Sequence, residues 1–175
     1  MRKPTTLRLP ERMDSRWRRE RRPVTRNNYR RRMTESRDPH ADGPTPGPFS
    51  ALLGFRYISV DEHEAVVEAD PGPEHCNGGG IVHGGFLASL LDTTTGWAVH
   101  ARVPDGAAAP HVHLSIQYVR AAVPGAPLVC RGRCVGSGRR IGSTEAEVTQ
   151  DGVVVARAVG THAVLAPPAP AEGSA

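Results

Sequence analysis

One segment of this chain reads as a long helix, and almost everything after it reads as strand. In residues 84 to about 101, Leu87, Leu90, Leu91, Thr94, Trp97 and Ala98 recur with the 3.6-residue period of one apolar helical face. From residue 111 onward the period falls to two. "HVHLSIQYVRAA" sets Val112, Leu114, Ile116 and Tyr118 on one face. "PLVCRGRCVGSG" follows a turn at 123–127, and "IGSTEAEVTQ" comes next. The dipeptide Asp151-Gly152 marks a hairpin, and "VVVARAVGTHAVL" closes the set. Ahead of the helix, a short helical turn is expected near 49–53. "FRYISVDEHEAVVEAD" then alternates around a charged turn at 61–64, as a strand pair or one long bent strand. One helix against one face of an antiparallel sheet is an α+β layer arrangement.

Charge separates this region from its flanks. Residues 1–48 hold 14 of the 22 Lys and Arg and 6 of the 18 Asp and Glu, a balance of +8 that leaves −4 for residues 49–175. The basic pI belongs to the arm, so it does not mark the whole chain as a nucleic-acid binder. Residues 1–38 are arginine-dense and poor in aliphatics, and "PHADGPTPGP" at 39–48 is rich in Pro and Gly. Such a stretch buries too little apolar surface to offset the entropy of ordering. The expected organisation is a disordered basic arm and linker at 1–48, a folded domain at 49–166 and a disordered tail at 167–175.

Cys76, Cys130 and Cys134 are an odd set without metal-like spacing, which points to a reducing compartment. Cys130 and Cys134 would share a strand face roughly 13 Å apart, too far for a disulfide. No apolar run nears the ~20 residues that span a bilayer, and the arginines of the N-terminus are followed by no apolar signal segment. A cytoplasmic chain without a membrane partner is expected.

The chemistry concentrates in "CNGGGIVHGGFLASLLDTTTG", residues 76–96. A helix N-terminus presents unpaired N–H groups and a partial positive charge. Gly84 and Gly85 lack a β-carbon, so a ligand oxygen could approach their amides, as an acyl-transfer oxyanion requires. Asp92 lies a little over two turns further along, among Leu90, Leu91 and Thr93 to Thr95. A carboxylate there is either satisfied by hydroxyls or works as base or nucleophile. Asn77 could hold a water. Each feature also has an ordinary reading: Asn77-Gly78 as a turn, His83 bonding backbone at the start of the helix, Gly84-Gly85 serving close packing, Asp92 as a satisfied polar residue. Their co-occurrence before an antiparallel sheet favours a site.

The run from Asn77 through His83, Gly84 and Gly85 to Asp92 resembles the signature of hotdog-fold acyl-CoA thioesterases, the PaaI-like group in particular. The resemblance extends over about residues 50–165. It implies a central helix wrapped by an antiparallel sheet of about five to six strands, paired as a homodimer or dimer of dimers with sites between subunits. It implies Asp92 as nucleophile or general base, the Gly84 amide polarising the carbonyl, Asn77 placing water or substrate, and His83 in a positional role. Gly85 would lie against the substrate. No metal or bound cofactor is implied, CoA being part of the substrate.

Two positions depart from the family pattern. His111 stands where many relatives carry a small hydroxyl residue that helps position nucleophile or water. Gly96 stands where some carry threonine, and Thr95 nearby is expected to face another way. Arg139 and Arg140, after "GSG", could hold CoA phosphates or form a solvated turn. His111 and His113 would share a strand face, but no further ligand completes a metal site. The arm, with Trp17 and Tyr29 among arginines, lacks the apolar periodicity of a helix-turn-helix unit, so nucleic acid is not an expected partner. The sequence leaves the acyl group open among aromatic, short-chain and medium-chain. The alternative reading is a non-catalytic acyl-CoA-binding module or regulator. A hotdog dehydratase is disfavoured, because its loop histidine paired with a helix glutamate is absent.

Overall fold

The computed structural model describes residues 46–166. The expectations for the arm and the tail fall almost wholly outside these residues. The elements are α1 (Pro48–Leu52), β1 (Arg56–Val60), β2 (Ala65–Ala69), α2 (Gly84–His100), β3 (His111–Tyr118), β4 (Leu128–Ser137), β5 (Ile141–Gln150) and β6 (Val153–Ala163). A single 3-10 turn, Pro73–His75, precedes α2. The alternating stretch ahead of the helix is therefore a strand pair, and Asp61 closes its turn by accepting from the His63 and Glu64 N–H groups. At Asp151-Gly152 both residues have positive φ, 51° and 75°, the backbone of the two-residue hairpin that the dipeptide favours.

All six strands form one antiparallel sheet in the order β1-β2-β4-β5-β6-β3. The four strands after the helix are consecutive in sequence but not in space. β3 crosses to the far edge and pairs with β6, not with β4. Gln150 secures the crossover loop: its side chain accepts from Val123 N–H and donates to the Val123 and Ala126 carbonyls.

The sheet wraps α2. Leu90, Leu91, Thr94, Thr95 and Val99 of the helix are fully buried, a wider face than the sequence periodicity suggested. Opposite them lie Leu128 and Cys130 of β4, Ala146 and Val148 of β5, and Ala156 and Ala158 of β6. The alternate residues of these strands point outward and carry ion pairs such as Arg131–Glu64 and Arg157–Glu147, whose contribution to stability is small in solvent. Burial pushes the Cys130 thiol up to about 12, so it behaves as a small core residue.

The helix lies close on β4 because Gly132 has no side chain. A β-carbon there would fall 2.9 Å from Thr94 Cγ2 and 3.3 Å from the Thr94 carbonyl oxygen. Backbone cannot yield as a side-chain tip can. Gly132→Ala should therefore destabilise the domain by about 1–3 kcal/mol. A urea midpoint unchanged from wild type would contradict this packing.

Candidate active site

The chemistry-bearing residues fall into two groups at different places along α2. The first surrounds its N-terminus. His83, extended at φ −63° and ψ 137°, is the N-cap, and its Nδ1 accepts from Gly85 N–H at 2.8 Å. The Gly85 amide is thus engaged by the cap. The Gly84 N–H, at the first helical position, has no acceptor among the described residues. The space left by its missing β-carbon is taken by Tyr118, whose ring carbon would stand 3.2 Å from such an atom. The Tyr118 hydroxyl donates to Gly84 O at 3.0 Å.

The Asn77 loop folds back onto this end of the helix. Asn77 N–H donates to Ile81 O, Gly80 N–H to Asn77 O, and His83 N–H to His75 O. Asn77 Oδ1 accepts from Gly79 N–H at 2.8 Å, so the side chain stabilises its own turn and turns its NH₂ group to other partners. Gly80 takes φ +75°, a conformation that suits glycine.

The second group sits around Asp92. Its side chain is 56% exposed, so it is not the enclosed carboxylate that its apolar neighbours suggest. Its Oδ1 lies 3.2 Å from His111 Nδ1. On the other edge of that ring, Nε2 lies 3.0 Å from Thr95 Oγ1. Thr95 itself is fully buried and donates to Leu91 O at 2.8 Å. Carboxylate, imidazole and hydroxyl are joined in the order of a hydrolase triad. Here the hydroxyl is sealed in the core, and the exposed end is the carboxylate. Thr95, expected to face away, is thus part of this group, while Gly96 makes only an ordinary contact with His111, at 3.8 Å from a constructed β-carbon.

A β-bulge creates this arrangement. His111 pairs with His162 and His113 with Thr161, so Val112 is an extra residue opposite no partner. Thr161 and His162 are adjacent and face opposite sides, hence so do His111 and His113. The expectation that the two histidines share a face is corrected. So is the expectation that Val112 lines up with Leu114 and Ile116, for Val112 is 60% exposed and His111 takes the inward place. No group of three or more His, Cys, Asp or Glu suited to a metal occurs among the described residues.

His162 went unnoticed in the sequence and lies fully buried against His111, ring centroids 3.9 Å apart. Its Nδ1 lies 3.2 Å from Ala109 O, and a carbonyl only accepts, so Nδ1 carries the proton. Its Nε2 then accepts from the Thr144 hydroxyl at 2.9 Å. The one sequence sign of it was an imidazole at an inward position of β6, in series with Ala156, Ala158 and Gly160.

Burial lowers the proton affinity of His111, opposed by Asp92. Burial and then the neighbouring His111 lower His162 to about 4. Histidine in the unfolded chain titrates near 6.5, so the unfolded state binds more protons than the folded one between about pH 4 and 6.5. The stability these rings contribute is complete above that window and is lost as pH falls through it. From pH 7.5 to 5, His162 alone should remove about 2 kcal/mol of unfolding free energy. A urea midpoint flat over that range would contradict it.

Arg139 and Arg140 are exposed in the β4–β5 turn. The following residues Ile141 and Gly142 pair with Ala163 and His162, which places the turn at the Asp92–His111 end of the sheet. Gly84 and Asp92 are eight residues apart, about 12 Å along the helix axis and on faces turned by about 80°. A thioester spans no more than about 7 Å between attacking oxygen and carbonyl-binding amide. The two groups therefore do not meet on one thioester within one chain.

A thioesterase-superfamily family model matches residues 79–156. The fold aligns with a mutant form of the phenylacetic acid degradation protein PaaI from Thermus thermophilus at TM-score 0.64 and 31% identity, over 68% of this chain and 100% of that one. The chain belongs to the thioesterase superfamily. This superfamily of hydrolases has the hotdog architecture seen here, one long helix wrapped by an antiparallel sheet. A second neighbour, a Streptococcus mutans protein, was solved bound to acetyl CoA. It aligns at TM-score 0.59 and 27% identity over 65% of this chain and 90% of that one. An Archaeoglobus fulgidus relative whose name assigns it as an esterase is 32% identical over 97 residues. That match spans 55% of this chain and 61% of the relative, less than two thirds of its length. No helix among the described residues is long and apolar enough to cross a membrane.

Proposed function

We propose that this thioesterase-superfamily chain hydrolyses acyl-CoA thioesters to free acid and CoA, in sites built between two copies. The observation that carries the reading is the presence of two incomplete half-sites on α2. The N-terminus of α2 offers the unbonded Gly84 N–H, and its middle offers the exposed, oriented Asp92 carboxylate. Placed antiparallel, two copies of the helix would bring Gly84 of one against Asp92 of the other. The Gly84 amide then polarises the thioester carbonyl, and Asp92 attacks it or takes a proton from water. Attack by water on the carbonyl carbon breaks the C–S bond. The thiolate of CoA leaves, and the acid retains the new oxygen.

His83 and Gly85 support this role by forming the cap that holds the first turn. The free amide of Asn77 is available to a water or the acyl carbonyl. Arg139 and Arg140, at the Asp92 end, suit the phosphates of CoA. The acetyl-CoA complex of the Streptococcus mutans neighbour supports a CoA ester as the substrate class. The acyl group is open among aromatic, short-chain and medium-chain acids.

Release of free thiol from phenylacetyl-, benzoyl-, hexanoyl- and palmitoyl-CoA tests the proposal. Turnover of at least one is expected. Binding without cleavage of all four would replace the enzyme by a non-catalytic acyl-CoA-binding module. The charge of residues 1–48 makes that alternative a regulator whose arm meets an anionic partner.

A further inference from the structure

His162 has no part in the reaction as proposed, yet it is the most enclosed ionisable ring among the described residues that meet Asp92's neighbourhood. Burying an imidazole removes it from water, and an apolar residue would fill the place without that loss. The fold satisfies both of its ring nitrogens, through Ala109 O and Thr144 Oγ1, and so fixes one tautomer. It also clears space for the arrangement. A β-carbon at Gly160 would lie 2.6 Å from Thr144 Oγ1 and 3.3 Å from His162 Nε2. What the ring faces, at 3.9 Å, is the ring of His111.

His111 needs such a support. It comes from the bulged start of an edge strand, where the regular pairing is interrupted at Val112. Its two nitrogens lie 3.2 Å from Asp92 Oδ1 and 3.0 Å from Thr95 Oγ1. Those edge contacts hold the ring at its two nitrogens and leave its tilt weakly opposed. A rigid ring packed beside it, centroids 3.9 Å apart and planes inclined by 45°, limits that tilt.

We propose that His162 is a positioning residue for Asp92, acting through the adjoining ring of His111. This rests on the reading of Asp92 as the working carboxylate. The chain is Ala109 and Thr144 to His162, His162 to His111, and His111 to Asp92. The titratable groups around it are Asp92 and His100 from α2 and His111 from β3, while β5 contributes only the neutral Thr144. Two imidazoles in contact oppose a second positive charge. His162 is held in its neutral tautomer, so His111 is the ring that exchanges a proton beside the carboxylate. Loosening His162 should therefore alter both the placement of Asp92 and the proton affinity of His111.

His162→Leu removes the ring contact, and Thr144→Val removes only the hydroxyl that anchors His162. In His162→Leu, kcat on the best acyl-CoA should fall between about tenfold and a hundredfold, with KM within about twofold of wild type. Thr144→Val should lose several-fold and His162→Gln, which restores a polar anchor, should recover part of the loss. The acid limb of kcat against pH should move in the same variants. The side-chain carboxyl ¹³C signal of Asp92 and the ring signals of His111 should move with it. A residue that only fills the core would lower thermal stability and leave kcat per folded molecule, the acid limb and both sets of signals unchanged. That result in either His162→Leu or Thr144→Val overturns the proposal, and Thr144→Val serves if the leucine variant does not fold. If wild type cleaves no acyl-CoA, the functional reading fails separately. The Asp92 carboxyl signal then decides: displaced in Thr144→Val, the coupling stands; unmoved, it falls.

Discussion

Asp92→Asn should reduce kcat on the best acyl-CoA on the order of 10³-fold while leaving the fold intact. The carboxylate is exposed and fixed by a single ring contact, Oδ1 to His111 Nδ1 at 3.2 Å. An amide of the same shape can keep the contact to His111 but cannot attack a carbonyl or accept a proton from water. Little stability is at stake, because the side chain is more than half exposed and buries no unpaired charge. Asp92→Ala should lose a similar factor. Steady-state thiol release, with circular dichroism to check folding, makes the measurement. Retention of a tenth or more of wild-type kcat in both variants would remove Asp92 from the reaction.

The second large effect should come from mixing two inactive proteins. Gly84→Pro deletes the unbonded N–H at the first helical position, where proline is well tolerated. His83 already has the extended backbone that precedes proline, so α2 should survive. The Tyr118 ring, itself 52% exposed, can move aside. This variant should lose about 10²–10³ in kcat, the effect of removing one oxyanion donor. Unfolding Gly84→Pro together with Asp92→Ala and refolding the mixture should restore about a quarter of wild-type activity. Half of the pairs would be mixed, and each would hold one intact site and one doubly altered site. No recovery, with mixed pairs present by mass spectrometry of tagged chains, would mean that Gly84 and Asp92 do not act across two copies.

Much of the architecture was readable because it depends on local period and turn chemistry. The apolar rhythm of α2, the alternation of β4 to β6 and the Asp151-Gly152 hairpin act over a few residues, and each element formed where its pattern lay. The motif residues Asn77, His83, Gly84, Gly85 and Asp92 were legible as a group for the same reason, lying in one continuous stretch. What each one does was less so. The Gly85 amide is engaged by the His83 cap, and the room at Gly84 is occupied by Tyr118 from β3, 34 residues away.

By itself, then, the sequence determined one helix, its strands, and a candidate site within residues 76–96, because hydrophobic period and backbone preference are local properties. Tertiary structure alone decided which groups meet. The crossover of β3 to β6 brings His111 onto His162, residues that lie 51 positions apart. The extra residue Val112 reverses the facing that a strict two-residue alternation assigns, and so turns His111 inward to Asp92 and Thr95. A strand's side-chain period is two only while its pairing is regular, and a bulge is set by the partner strand, which no local pattern contains.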